Sequence, residues 1–382
     1  MKEKLIKFGL AGVALTTSLV ILLIIVFLVN EGLSVFSDKP YEPGTTPIVS
    51  SGIGINHLSV AQIKDIYSEK AKNWKDVGGV NQEIKILNYD NISGDNLAEA
   101  VSKTPYSIGF AFDEDLAAYP SDNYSTLKID DVGLFSFLFG ENWYPTSEPV
   151  HVIGILPMIV GSFLVTLLAI VFAIPVGVGI AIYLSEIAHP AYREILKPIL
   201  EILAGIPSVV YGFFGLVVLV PFIQNTFHTP TGESALAGAI VLAIMALPTI
   251  TSISEDALKA VPGTLREGSL ALGATRWQTI YKVIVPAAIS GITAAIILGI
   301  GRAIGETMTV LMVTGNAVQI PGSLTDPVRT LTATIAAELG EAPQGGVHYH
   351  ALFMIGFVLF VTTFVFNLIA DFVSSKFNKL KS

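Results

Sequence analysis

The chain has 382 residues, of which 52% are hydrophobic and only 14% charged. An ordinary soluble domain carries about 25% charged residues, so this composition calls for lipid. The absence of cysteine excludes disulfide scaffolds, thiolate metal sites, iron–sulfur clusters and cysteine nucleophiles, and the net charge of −9 argues against a nucleic-acid-binding surface.

The charge is unevenly placed. Residues 31–150 hold 18 Asp+Glu against 8 Lys+Arg, a net of −10, whereas the rest holds 13 against 14, a net of +1. One acidic soluble segment interrupts a nearly neutral apolar chain.

A bilayer-crossing helix needs about 20 predominantly apolar residues. Charge-free windows predict six spans, roughly 8–29, 157–184, 200–223, 235–256, 284–314 and 349–372. The first is too long for a typical signal-peptide core and is followed by no A-x-A-like site, so it reads as an uncleaved anchor. Lys2, Lys4 and Lys7, Arg193 and Lys197, Lys259, Arg266, Arg276 and Lys282, and Lys376, Lys379 and Lys381 all fall on one side, while the opposite loops 224–234 and 315–348 contain only Arg329. By the positive-inside rule, both termini are expected in the cytoplasm and residues 31–150 outside.

Within the acidic segment, residues 37–131 are predicted to form a small α/β unit. Thr46–Ile55 alternates as a strand. Ser59 caps a helix with apolar Val60, Ile63, Ile66 and Tyr67, and Gly78-Gly79 turns into a strand over 83–87. Ser93 is read as the cap of a second helix through Val101, followed by a strand over 106–112. Asn91-Ile92-Ser93 and Asn123-Tyr124-Ser125 match glycosylation sequons.

Leu58–Tyr67 followed by Asn73–Gly79 resembles part of the periplasmic phosphate-binding proteins. There the resemblance implies an Arg-x-x-x-Ser-Gly-Thr anion site. Here the corresponding positions hold Tyr89 and Ser93-Gly94-Asp95, so the arginine is missing and a carboxylate would repel phosphate. The segment is also too short for the two lobes of a clamping receptor.

The loop 255–286 carries the next signal. Pro262-Gly263 break the fourth span. Leu265–Leu272 then interleaves Leu265, Leu270 and Leu272 with Arg266 and Glu267, Gly273 permits a reversal, and a second helix is expected from about Thr275 to Pro286. Two short amphipathic helices around a glycine form a knob able to dock into a groove of a soluble partner. The loop resembles that of ABC importer permeases, Glu-Ala-Ala-x3-Gly-x9-Ile-x-Leu-Pro. Glu267, Gly273 and Pro286 stand at the family spacing, Gly268 and Ser269 replace the two alanines, and Val283 and Val285 replace the aliphatic pair. The resemblance implies that Glu267, Gly268, Ser269, Gly273 and Pro286 couple the chain to a separate cytoplasmic ATPase. The chain itself has no G-x-x-x-x-G-K-[ST] sequence, the phosphate cradle of a nucleotidase.

Gly301-Arg-Ala-Ile-Gly-Glu-Thr-Met308 puts Arg302 and Glu306 four residues apart in the fifth span, and therefore on one helix face. An arginine at the centre of a membrane helix costs about 2.5–3.5 kcal/mol on insertion scales. The base-before-acid order is the weaker helix-stabilising arrangement. A pathway role for Arg302, whose donor fork suits an oxyanion, and an internal ion pair with Glu306 both remain open.

The same octapeptide resembles the signature of phosphate ABC importer permeases, as do Leu203–Gly212 and Leu331–Glu338. Phe139–Pro145 is similar to the C-type member rather than its A-type counterpart. The resemblance covers 1–36 and 132–382, with 37–131 as an insert that ordinary members lack. It implies an all-α polytopic fold of six transmembrane helices of the ABC type-1 importer class. The implied partners are an A-type permease subunit, a dimer of ATP-binding subunits and an external phosphate-binding protein, with ATP used by the ATPase and no cofactor or metal held by this chain.

Two other readings are weighed. A permease for molybdate or sulfate would use the same arginine chemistry. A membrane-anchored phosphate sensor would use the insert, but would leave the coupling knob without a task. An enzyme is the weakest reading, because His151, His189, His228, His348 and His350 make no metal-spaced cluster with nearby acids.

Overall fold

A computed structural model describes residues 2–92, 94–120 and 122–379 of the chain. Six helices are long and apolar enough to cross a membrane: Leu10–Ser34, Leu156–Ile187, Ser208–Phe227, Ala235–Lys259, Arg276–Ile304 and Val347–Ile369. The chain divides into two compact units, Met1–Leu156 with Ala342–Met354, and Pro157–Glu341 with Ile355–Ser382.

The first unit holds the first span and the small sheet of the acidic segment. Its four strands run in the order Lys85–Ile86, Ser107–Phe112, Thr45–Ser50, Tyr124–Thr126. Thr45 lies opposite Phe112 in an antiparallel pair, whereas Lys85 runs parallel to Ser107. Ser59 closes a capping box with Gln62 at the start of the helix Val60–Tyr67, as the spacing predicts. Trp74 is fully buried under this sheet, and its indole N–H donates to the Tyr106 carbonyl at 2.9 Å. That bond satisfies the one polar atom of a large apolar ring.

The second helix of this unit begins later than the sequence suggests. It covers Leu97–Lys103, and its cap is Asn96, whose side-chain oxygen accepts from the Glu99 N–H at 2.9 Å. Asn91 closes the preceding turn by accepting from the Asn88 N–H. These local side-chain bonds hold the chain out of helical conformation until Asn96. Ser93, the expected cap, lies outside the described residues.

Where the first span ends, Gly32 is what lets it approach the last helix. A Cβ there would stand 3.0 Å from the Met354 Cα. Just beyond, the His350 ring lies between Asp38, at 2.6 Å from Nδ1, and Glu31, at 3.6 Å from Nε2.

The second unit is a helical bundle closed by small residues. Its fourth and fifth spans cross so tightly that a Cβ on Gly291 would fall 2.3 Å from the Ala257 Cβ. Gly177 and Gly299 both face Ile250 at distances that exclude a Cβ without adjustment. Small residues at crossings replace the hydrophobic drive that lipid removes.

Two of the expected spans are divided. The window 200–223 contains a helix Pro190–Gly205, a break at Ile206-Pro207 and a new helix from Ser208. Pro207 excludes helical backbone from the residue before it, and Ile206 is extended at ψ 127°. The carbonyl freed by the break is satisfied by the Tyr211 hydroxyl, which donates to Leu203 at 2.7 Å. The window 284–314 likewise ends its helix at Ile304 and resumes with Met308–Val313. Pro175, Pro198 and Pro248 are carried inside α-helices, while two other prolines follow a widened turn. π-helical turns over Gly215–Leu219 and Ile280–Ile284 stand directly ahead of Pro221 and Pro286, where a missing N–H and a bulky ring disrupt the i−4 bond.

Candidate functional site: an intramembrane arginine and a coupling loop

The loop 255–286 folds nearly as its residues dictate. Ala235–Lys259 ends ahead of Pro262, and the short helix Gly263–Ala271 follows. Gly273 takes φ +85°, a left-handed conformation that a side chain resists. Thr275 then forms a capping box with Gln278. From Arg276 the helical path continues without interruption through the π turn into Val285–Ile304. The expected second short helix therefore does not end at Pro286 but is the first turns of the fifth span.

The arms of the loop are tied together by Ser269 and Thr279, whose hydroxyls lie 3.0 Å apart. They are tied to the second span by Arg266, which pairs with Glu186 at 2.7 Å. Glu267, Gly268 and Gly273 are all exposed, and a Cβ at Gly268 or Gly273 would meet nothing within 4 Å. Nothing in this chain requires Gly268 to be small. Leu272 is 91% exposed and Trp277 62%, a display of apolar side chains that marks a surface made for contact.

Arg302 sits in the last turn of the fifth span, with Nη1 at 3.5 Å from the Thr249 hydroxyl. The sequence-based expectation that Glu306 shares its helix face is corrected here. The helix stops at Ile304, Gly305 caps it, and Glu306 lies in the break. There the Glu306 carboxylate accepts from the Thr309 N–H at 3.4 Å, and its own carbonyl accepts from the Thr332 hydroxyl at 2.9 Å. It thus serves the start of Met308–Val313, where a negative charge is favoured. Arg302 and Glu306 still line one small crevice with Leu242, Met245 and Ala246. Among the described residues, no carboxylate lies within ion-pair distance of Arg302. A guanidinium in such apolar company is an anion acceptor looking for its counter-charge.

Further polar anchoring, invisible as a pattern, surrounds the break. Arg329 pairs with Glu338 and donates from Nε to the Asn316 carbonyl at 3.0 Å. The Ser162 hydroxyl accepts from the Leu331 N–H at 2.9 Å. Arg329 could have been singled out, being the one Lys or Arg in the loops 224–234 and 315–348. Glu186 carried a weaker signal, a carboxylate at the end of an apolar run.

Tyr89, at the position where the resemblance implies an arginine, is held within the acidic segment. The Tyr89 hydroxyl donates to Asp115 at 2.7 Å and accepts from the Phe112 N–H at 2.8 Å. The Asp115 carboxylate also accepts from the Leu97 N–H at 3.1 Å. The N-terminus of the helix Leu97–Lys103 is thus already occupied by the protein's own Asp115 carboxylate.

A helical bundle with six apolar spans, an arginine at the end of one of them and an exposed apolar loop is the architecture of a polytopic membrane protein. Residues 173–379 match the family described as binding-protein-dependent transport system inner membrane component. The probable ABC transporter permease protein YqgH of Bacillus subtilis is 49% identical over 249 residues, 65% of this chain and 80% of its own length. The phosphate transport system permease protein PstC of Mesorhizobium japonicum is 40% identical over 258 residues, 63% of this chain and 78% of its own. A solved inward-facing MetNI methionine ABC transporter aligns with a TM-score of 0.44 and 22% identity, over 59% of this chain and 94% of that one. The chain belongs to the binding-protein-dependent transport system inner membrane component family, and is a multi-pass permease subunit of an ABC importer.

Proposed function

We propose that the cargo is inorganic phosphate and that this chain is the C-type half of the pathway. An A-type permease subunit would complete it, two copies of a cytoplasmic ATPase would drive it, and an external phosphate-binding protein would deliver the ion. The relatives named for phosphate transport support the cargo, and Arg302 carries the reading. Its guanidinium stands at the end of a membrane helix without a carboxylate partner among the described residues, beside a break in the fifth span. Its planar fork matches a tetrahedral oxyanion. Glu306 sits close enough to discourage permanent capture of the anion.

Motion reaches this point through the loop. Glu267, Gly268, Ser269 and Gly273 form the docking knob, and Pro286 marks where the loop joins the fifth span. ATP-driven closure of the partner ATPases would move the knob, and a continuous helix from Arg276 to Ile304 would carry that movement toward Arg302. The chain contributes no nucleotide site and catalyses no hydrolysis. In this reading both termini and the coupling loop lie in the cytoplasm, and residues 31–150 lie outside.

The test is radiolabelled phosphate uptake into proteoliposomes holding this chain, the A-type subunit and the ATPase, with ATP inside and binding protein outside. Uptake should need every component and be competed by arsenate but not by sulfate or molybdate. Transport of another oxyanion without phosphate would overturn the cargo.

A further inference from the structure

The acidic insert contains a cavity of about 320 Å³ that the transport reading does not use. Its walls are two aromatic pairs. The Tyr67 and Phe110 rings meet edge to face at 5.9 Å, and the Tyr89 and Phe112 rings stack at 5.0 Å. Three carboxylates, Glu42, Asp90 and Glu148, stand around it, and no Lys, Arg or His is among the described residues that line it.

We infer that this cavity is a binding site for an organic ammonium group. Aromatic faces and carboxylates together are the chemistry that recognises such a cation, and the same set repels phosphate or any other oxyanion. The volume lies at the small end of ligand sites, enough for an amine on a short carbon chain.

An independent observation points to a ligand. Tyr67 lines the cavity, yet its hydroxyl is buried and has no hydrogen-bond partner. A buried hydroxyl left unpaired is costly, and burial pushes its ionisation well above the ordinary tyrosine range, so it stays a neutral group able to accept an N–H. The neighbouring Tyr89 hydroxyl, by contrast, has both a donor and an acceptor partner. An ammonium N–H would complete what the fold leaves open at Tyr67, and the carboxylates would balance its charge.

The ammonium group can be carried by a free amine or by a lysine side chain of a docking protein; the shared chemistry is the same. The test uses the full-length chain in lipid nanodiscs, titrated with n-butylammonium by saturation-transfer NMR, with butyrate as the control of opposite charge. Butylammonium should bind and butyrate should not. Tyr67→Phe, which removes only the unpaired hydroxyl, should weaken binding about three- to tenfold, the worth of one hydrogen bond. Glu42→Gln with Glu148→Gln should weaken it further, with the melting temperature unchanged. No ammonium binding, or an affinity that neither variant alters, would overturn the site. A parallel titration with Nα-acetyl-lysine amide separates the sources: tighter binding than butylammonium assigns the cavity to a protein's lysine, weaker binding to a free amine. The outcome does not depend on which anion the pathway carries.

Discussion

The guanidinium of Arg266 lies 2.7 Å from the carboxylate of Glu186, which is only 5% exposed. The loop 255–286 is thereby fastened to the end of the second span, eighty residues earlier in the chain. Removing the arginine leaves a buried carboxylate with, among the described residues, only the neighbouring Ser185 hydroxyl to serve it. Arg266→Ala should cost about 1–2 kcal/mol, allowing for screening of a guanidinium more than a third exposed. It should also lower ATPase stimulation more than phosphate-binding-protein affinity. Thermal unfolding and ATPase assays of the assembled complex check both.

Gly273 and Gly268 should separate backbone strain from docking. Gly273→Ala places a side chain at φ +85° and should destabilise the loop by about 1–2 kcal/mol. Gly268→Ala meets open space in this chain, so its stability should match the wild type. If a partner packs against Gly268, the same substitution should still weaken co-purification with the ATPase. Glu267→Arg should abolish that co-purification outright, and unchanged recovery would remove the docking role.

Arg302→Ala should abolish uptake while leaving assembly and expression intact, because this side chain makes one long hydrogen bond, to Thr249. Arg302→Lys should restore only part of the activity, since a single ammonium cannot reproduce the bidentate fork. Glu306→Gln retains an oxygen for the Thr309 N–H and should fold normally. Size-exclusion profiles alongside uptake distinguish a pathway role from a structural one.

The acidic segment should lose stability in alkali. Burial, reinforced by the Asp115 carboxylate that accepts its proton, pushes Tyr89 up to about 12. The unfolded chain ionises tyrosine near 10, so the folded state binds the proton more tightly. The stability this contributes is fully present below pH 10 and is lost as pH rises from there toward 12. Tyrosinate absorbance near 295 nm, followed with the fluorescence of Trp74, should show the two signals changing together at that edge. Tyr89→Phe should remove the Tyr89 component.

Excising 45–129 and closing the gap with a short glycine linker tests whether the sheet is an add-on to the permease. This deletion keeps Asp38 and the pairing of Tyr41 with Val150. Membrane insertion and binding to the ATPase should persist, and loss of insertion would show that the acidic segment is needed to build the bundle.

Much of this was readable because it depends on local rules. Long charge-free runs admit few fates, so six apolar spans follow from residue order alone. Ser59 as a helix cap, a helix start at Thr275, and Gly273 between two helices declare themselves in the local sequence. Arg302 stands out because charge in an apolar run is costly wherever the run goes. The continuity of a helix is different, because it depends on what lies alongside. The fifth span ends at Ile304 rather than 314 because the carbonyl of Glu306 is taken by Thr332 and Thr309 reaches Ser208. Neither partner is close in sequence, and Glu306 therefore left the face it was expected to share. The pairing of Arg266 with Glu186, and the seating of Asp115 on the helix beginning at Leu97, likewise join segments that no periodicity connects. Composition and spacing determined that this is a six-span membrane protein with a two-helix loop around Gly273, and the family resemblance pointed from there to a permease. Only the tertiary structure decided which charges are paired, because that depends on distances between residues far apart in the chain.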